Sequence, residues 1–149
     1  MVVVAEPAEA IDISQTLDLR LHLLDRDEGV RDSLKVLLES YGFKIQAFGN
    51  RSEFLASAAE APGHCLILSS NRLIVDGLEL LSTLRRRGVA TPAIFIVGGG
   101  NPATRASALA AGAAAYLERP VAEKALIRAI VGAVQGQRTD VPPAKQDRR

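Results

Sequence analysis

The chain has 149 residues, 48% of them hydrophobic, and a formal net charge of +1 at pH 7. That suits one domain with a full core and leaves no strong field to draw in nucleic acid or an acidic membrane. The single cysteine, Cys65, excludes an intrachain disulfide framework and a Cys-based zinc site, and the lack of Trp, with two Tyr and four Phe, leaves few platforms for stacking bases.

Residues 1–18 read as a flexible Ala/Glu/Pro-containing arm, with Ile11–Leu17 a short helical candidate. Its apolar start, Met1–Ala5, lacks a basic leader and runs into Glu6, Pro7 and Glu9. Five strands and five helices then alternate. The strands are Leu19–Leu24, Phe43–Phe48, His64–Ser69, Ala93–Val97 and Ala114–Glu118. The first, third and fourth are nearly continuous apolar runs, the pattern of strands covered by helices on both faces. The first helix follows Asp27, places Val30, Leu34, Leu37, Leu38 and Tyr41 on one face, and stops at Gly42. The second covers about 51–60 with Phe54, Leu55 and Ala58 inward. The third runs from Gly77, a turn glycine eight residues after Ser69, to Arg87, and stops at Gly88. The fourth covers about 102–111, with Pro102 at its first position and mostly Ala after it. The fifth runs from Val121 to Val134. Residues 136–149 carry Pro142-Pro143 and Arg148-Arg149 and read as a disordered tail. The domain is therefore 19–135. No run approaches the roughly 20 apolar residues of a membrane span, and the expected location is cytoplasmic.

Five βα units in this length predict an α/β fold: a doubly wound, five-stranded parallel sheet in strand order 2-1-3-4-5, flavodoxin-like. Ligands of such sheets sit beyond the carboxyl ends of the strands, at the switch between strands one and three. Asp25, Arg26, Ser69, Val97 and Arg119 all fall on that edge.

The chain resembles the response-regulator receiver domains of two-component signalling, those of the FixJ type in particular. The resemblance rests on Leu21-His22-Leu23-Leu24-Asp25, Tyr41-Gly42-Phe43, Phe54-Leu55, Asp76-Gly77-Leu78-Glu79-Leu80-Leu81, Ala111-Gly112-Ala113 and Glu118-Arg119-Pro120, in that order and spacing. It implies that Asp25 matches the first of two acids that hold Mg²⁺, with Arg26 in place of the second. It places Ser69 at the phosphoryl-accepting aspartate and Val97 at the hydroxyl residue that follows the fourth strand. Arg119 stands at the lysine that pairs with phosphoryl oxygens, and Tyr116 keeps the aromatic of the switch position. Leu73 lies near the place of a common proline, and the matching Arg119-Pro120 peptide is expected to be cis.

A typical pocket of this family holds three acids and one lysine, a deficit that a divalent cation neutralises. Here one carboxylate and two guanidinium groups sum to +1. No metal or other cofactor is expected, and Arg26 or Arg119 is expected to pair with Asp25 in the metal's place. The reading is a stand-alone atypical receiver, not an enzyme. It would act by contact with another signalling protein (a sensor kinase, response regulator or output protein), or as a homodimer. The expected face is the fourth helix, fifth strand and fifth helix, with Tyr116, Arg105, Ala106 and Arg128.

The residues leave two rival readings open. An unconventional acceptor such as Ser69, Ser70 or Asp76 would take phosphate, although no base adjacent to Ser69 is evident from sequence. A flavodoxin-like binder of a small anion or cofactor would use Gly98-Gly99-Gly100 and Arg119. His22 reads as a core histidine, Arg85-Arg86-Arg87 as a solvated helix end, and Cys65 as a small buried hydrophobe.

Overall fold

In the computed structural model, residues 13–61, 63–70 and 75–136 are described. Residues 1–12 of the arm, Leu73 and residues 137–149 of the tail lie outside these residues. The strands are β1 (Arg20–Leu24), β2 (Lys44–Phe48), β3 (Cys65–Ser70), β4 (Ala93–Val97) and β5 (Ala115–Glu118). The helices are α1 (Glu28–Ser40), α2 (Arg51–Glu60), α3 (Val75–Arg86), α4 (Pro102–Ala110) and α5 (Glu123–Val134). All pairings are parallel, and the sheet order is β2-β1-β3-β4-β5, as the alternation of elements predicted.

The side-chain period of two divides the core. Leu21, Leu23, Cys65, Ile67, Ile94 and Ile96 face α1 and α5, where Leu38, Leu126, Ile127 and Ile130 meet them. Leu66, Leu68, Phe95 and Val97 face α2, α3 and α4, against Phe54, Leu80, Leu81, Leu84 and Ala108. Each fully buried Leu, Ile or Phe contributes about 1.5–3 kcal/mol by leaving water. The polar carboxyl ends of the strands are fixed in space by these two layers.

The helix starts follow local chemistry. Asp27 caps α1 by accepting the Val30 N–H (3.0 Å), and Asn50 caps α2 by accepting from Glu53 (2.9 Å). Helix α3 begins two residues before Gly77, so Gly77 is no turn residue. It lies in the first helical turn, where a Cβ would come within 3.0 Å of the Phe95 ring. The first-turn glycine serves close packing of α3 on β4. The arm also differs from expectation in its last residues. Ile13–Gln15 form a 3₁₀ turn, and Thr16 is completely buried with its hydroxyl donating to the Tyr41 carbonyl. Residues 13–18 thus belong to the folded unit, because the α1–β2 corner needs a partner for its free backbone groups.

His22 is a buried core histidine, stacked on Phe48 (centroids 5.8 Å) and edge-on to Phe54 (6.3 Å). Its Nε2 lies 3.1 Å from the Ser57 hydroxyl, while Nδ1 is buried without a partner. Burial, helped by the Arg20 charge, holds its pKa below the ordinary 6.5. The unfolded chain therefore binds the proton more readily, so the His22 contribution to stability is complete above pH 6.5 and falls as pH drops through the lowered value. Denaturant midpoints measured from pH 7.5 to 5 should fall more steeply in wild type than in His22→Leu. Parallel slopes would show that His22 does not carry this dependence.

Candidate functional site

The backbone leaves β1 with the Asp25 N–H still bonded to the Phe48 carbonyl (3.1 Å). This keeps Asp25 in strand-like alternation and turns its side chain into the molecule, where it is 3% exposed. One carboxylate oxygen accepts the Asp27 N–H (2.9 Å). The other accepts the Ser69 hydroxyl at 2.6 Å and lies 3.4 Å from an Arg119 guanidinium nitrogen. The same nitrogen donates to the Ser69 oxygen, and the second terminal nitrogen of Arg119 donates to the Ser70 carbonyl (3.0 Å). The ends of β1, β3 and β5 are thereby tied through three side chains.

Arg26 is not part of this cluster. The residue after Asp25 points the opposite way, its side chain is 80% exposed, and it lies 3.6 Å from the Asp76 carboxylate. Keeping the guanidinium in water avoids a desolvation cost of several kcal/mol per ion. Of the two cations that the sequence offered to Asp25, Arg119 makes the pair, and the inner cluster is one carboxylate with one guanidinium rather than net positive. The sequence also showed no base near Ser69. The fold brings one from 44 positions away in the chain, since Asp25 accepts the Ser69 proton.

The cluster does not fit a magnesium ion. Mg²⁺ requires oxygen ligands in near-octahedral array. Asp25 has both oxygens engaged by protein donors, Asp27 is spent on capping α1, and Asp76 faces Arg26. Among the described residues no group of three or more His, Cys, Asp or Glu side chains is placed to hold a metal. Cys65 is fully buried with its thiol pushed up to about 12 by burial, so it supplies no thiolate.

A second cluster lies at the start of α4. Val97 is buried and has no hydrogen-bonding side chain. Tyr116, on β5, is 2% exposed, with its ring in the core and its hydroxyl 2.7 Å from Thr104 Oγ1. Thr104 closes a capping box with Asn101, accepting its N–H (2.9 Å) and donating to its carbonyl (2.8 Å). The one threonine proton is thus used, which leaves Tyr116 as donor to Thr104. Gly100 makes the inward ring possible: a Cβ there would sit 1.9 Å from the Tyr116 oxygen. The Gly100 φ is open to any residue, so this glycine is needed for space rather than for backbone conformation.

Arg105 covers the outer side, its guanidinium carbon 5.9 Å from the ring centre. Ala106 is exposed on α4, and Arg128 is half-buried on α5. Gly100, Pro102, Arg105, Tyr116 and Glu118 line an open hollow of about 470 Å³ beside this face. Thr104 was not singled out from sequence, and Gly100 was read there only as part of a possible anion-binding loop, not as the space for the Tyr116 ring. The signal for Thr104 was present in Asn101-Pro102-Ala103-Thr104, a capping-box spacing with Pro at its first helical position.

The response regulator receiver domain family matches this chain over residues 21–131, and the sheet order 2-1-3-4-5 agrees with that fold. This chain belongs to the receiver-domain family. It is 33% identical over 112 residues to the transcriptional regulatory protein FixJ of Azorhizobium caulinodans, covering 75% of this chain and 53% of that protein. It is 31% identical over 125 residues to the response regulator protein TodT of Pseudomonas putida, covering 82% and 55%. The chain spans about half the length of these curated relatives. The crystal structure of FixJ-N is similar with a TM-score of 0.70 at 30% identity, covering 80% of this chain and 96% of that one. The receiver's Arg119-Pro120 peptide is cis. No helix among the described residues is long and apolar enough to cross a membrane.

Two substitutions test the clusters. Arg119→Met leaves a buried carboxylate without its cation and should cost about 3 kcal/mol in urea unfolding, whereas Ser69→Ala, which keeps the pair, should cost about 1 kcal/mol. Equal losses would show that the ion pair is not what holds Asp25. Gly100→Ala should expel the Tyr116 ring. In a Tyr41→Phe background, where Tyr116 is the only tyrosine, acrylamide quenching of its fluorescence should rise several-fold; unchanged quenching would mean that the loop, not the ring, gives way.

Proposed function

We propose that this chain is an atypical receiver module of bacterial two-component signalling that acts by protein–protein contact without conventional aspartyl phosphorylation. The observation that carries this reading is the closed Asp25–Ser69–Arg119 cluster. Ser69 stands at the carboxyl end of β3, the position that the resemblance gives to the phosphoryl-accepting aspartate. A serine there has no carboxylate to form an acyl phosphate. Asp25 is already neutralised by Arg119, so the site does not wait for a cation. Val97 offers no hydroxyl to a phosphoryl group, and Tyr116 is held inward by Thr104 instead. The module therefore rests in one state set by its own side chains.

The partner is another signalling protein, and the face offered to it is α4–β5–α5. There Arg105 lies over Tyr116, Ala106 leaves α4 flat, and Arg128 borders the surface from α5. A second copy of the chain can meet the same face. The role is one of binding rather than catalysis.

One observation favours phosphorylation of Ser69 as a second reading: Asp25 is in place to take its proton. The charges oppose it. A phosphoserine carries −1.5 to −2 near neutral pH, here beside the Asp25 carboxylate, with Arg119 as the cation of the cluster. The two readings separate in an amide NMR titration, first with Mg²⁺ and then with beryllofluoride as phosphoryl mimic. The Ser69, Val97 and Tyr116 amides should stay unmoved. Saturable shifts of the three together would show a working metal and phosphoryl site. Mass analysis after incubation with acetyl phosphate completes the test: a phosphate adduct lost in Ser69→Ala would establish the serine acceptor.

A further inference from the structure

We propose that Ile13–Asp18 is a docked strap that positions the first turn of α5 through Tyr41. The strap precedes the residues matched by the family model, which begin at 21. It is nonetheless built into the domain at a specific point, the corner between α1 and β2. The last carbonyls of a helix lack intrahelical partners. At α1 one of them, Tyr41 C=O, accepts the hydroxyl of Thr16, a residue with no exposed surface. The Asp18 N–H donates to the Gly42 carbonyl (3.1 Å), and the Lys44 N–H to the Leu19 carbonyl (2.8 Å), which extends the contact into β2. Leu17 lies over Gly42 so closely that a Cβ on that glycine would meet its Cδ2 at 2.8 Å. Gly42 has φ +96°, as the αL stop after a helix requires. Asp18 itself adopts φ 65°, a region that Asp tolerates better than most side chains, and so turns the chain from the strap into β1. Polar, apolar and backbone contacts thus converge on two residues, Tyr41 and Gly42.

Tyr41 carries the contact onward. Its backbone is held by the strap, while its hydroxyl donates to the Glu123 carboxylate. That hydrogen bond, with burial and the negative charge of Glu123, pushes the phenol up to about 12, so the donor stays protonated across the physiological range. Glu123 is the first residue of α5, and the first amide of that helix to find a backbone partner is Leu126, bonded to Ala122 (3.1 Å). The loop between β5 and α5 holds Arg119. The strap, the α1 corner, Tyr41 and Glu123 therefore form one continuous path from a segment outside the family match to the loop bearing the central cation. Lifting the strap frees the Tyr41 carbonyl and loosens the α5 start, which borders the α4–β5–α5 face. This gives the receiver an input that needs no phosphoryl chemistry. It holds whether or not Ser69 ever accepts phosphate, so its failure and that of the phosphate-independent reading are distinguishable.

The test is native-state hydrogen exchange on the full chain with Thr16→Val, Tyr41→Phe and the double variant. Thr16→Val removes the hydroxyl with little change of volume. Tyr41→Phe leaves the carbonyl in place and cuts only the link to Glu123. Thr16→Val should raise exchange of the Leu126 and Ile127 amides about fivefold, the opening released by one net hydrogen bond, as well as that of Asp18 and Lys44. Tyr41→Phe should accelerate Leu126 and Ile127 similarly while leaving Asp18 protected. In the double variant α5 should be no faster than in Tyr41→Phe alone. The proposal is overturned if Thr16→Val loosens only Asp18 and Lys44, or if its effect on α5 persists in full without the Tyr41 hydroxyl. It is overturned as well if the β3 and β4 core amides accelerate by the same factor, because α5 would then report global opening.

Discussion

A carboxylate that is 3% exposed at the end of a parallel sheet has to be satisfied by whatever surrounds it, and this requirement at Asp25 organises the rest of the site. An uncompensated buried charge costs several kcal/mol. Three donors meet the demand: the Asp27 N–H, the Ser69 hydroxyl and the Arg119 guanidinium. Each comes from a different element, and together they fix the ends of β1, β3 and β5 relative to one another. A metal that neutralised the same charge would act in proportion to its free concentration. A guanidinium on the chain has no such dependence. On the proposed reading, a tethered cation in the place of an exchangeable one makes the arrangement independent of metal concentration.

The two clusters are joined through the main chain. Val97, between them, has an apolar side chain, but the carbonyl of Ser70 uses both its lone pairs. It accepts the Gly98 N–H at 3.0 Å and an Arg119 nitrogen at 3.0 Å. The Arg119 N–H in turn donates to the Val97 carbonyl (2.8 Å). The loop that leaves Gly98 is the one whose Gly100 makes room for the Tyr116 ring. Arg119 thus sits on both sides of the connection, with its side chain in the first cluster and its backbone next to the second.

Most of the fold was legible because the apolar runs of β1, β3 and β4 have few alternative interpretations, and because Asp27, Gly42, Gly88 and Pro102 mark helix ends by known chemistry. Element ends moved by a residue or two where burial rather than propensity decides, as at α3, which starts ahead of Gly77. The choice between Arg26 and Arg119 was open from composition, yet strand alternation carries the answer. Consecutive residues point to opposite sides, so an inward Asp25 sends Arg26 outward. What could not be read was long-range. Thr16 sits in a polar stretch that looks like a loose arm, and nothing local reveals that a helix-end carbonyl 25 positions away needs its hydroxyl. The base beside Ser69 was missed for the same reason, since the pair is local only in the folded sheet.

Arginine at position 119 is more than a cation in the place of a lysine. A lysine ammonium is a compact charge on one flexible stem, whereas the guanidinium is a planar fork whose two ends act in different directions. Here one nitrogen serves Ser69 and Asp25, and the other reaches the Ser70 carbonyl. A single ammonium would need to meet all three acceptors at once from one point. Splitting the task fixes the guanidinium plane across the end of β4, which lies between β3 and β5. On the proposed reading the same rigidity disfavours an incoming phosphoryl group, because Arg119 would have to abandon its contacts to Ser69, Asp25 and Ser70 before it turned toward a new anion. On that reading, the feature that satisfies Asp25 is also the one that closes the pocket.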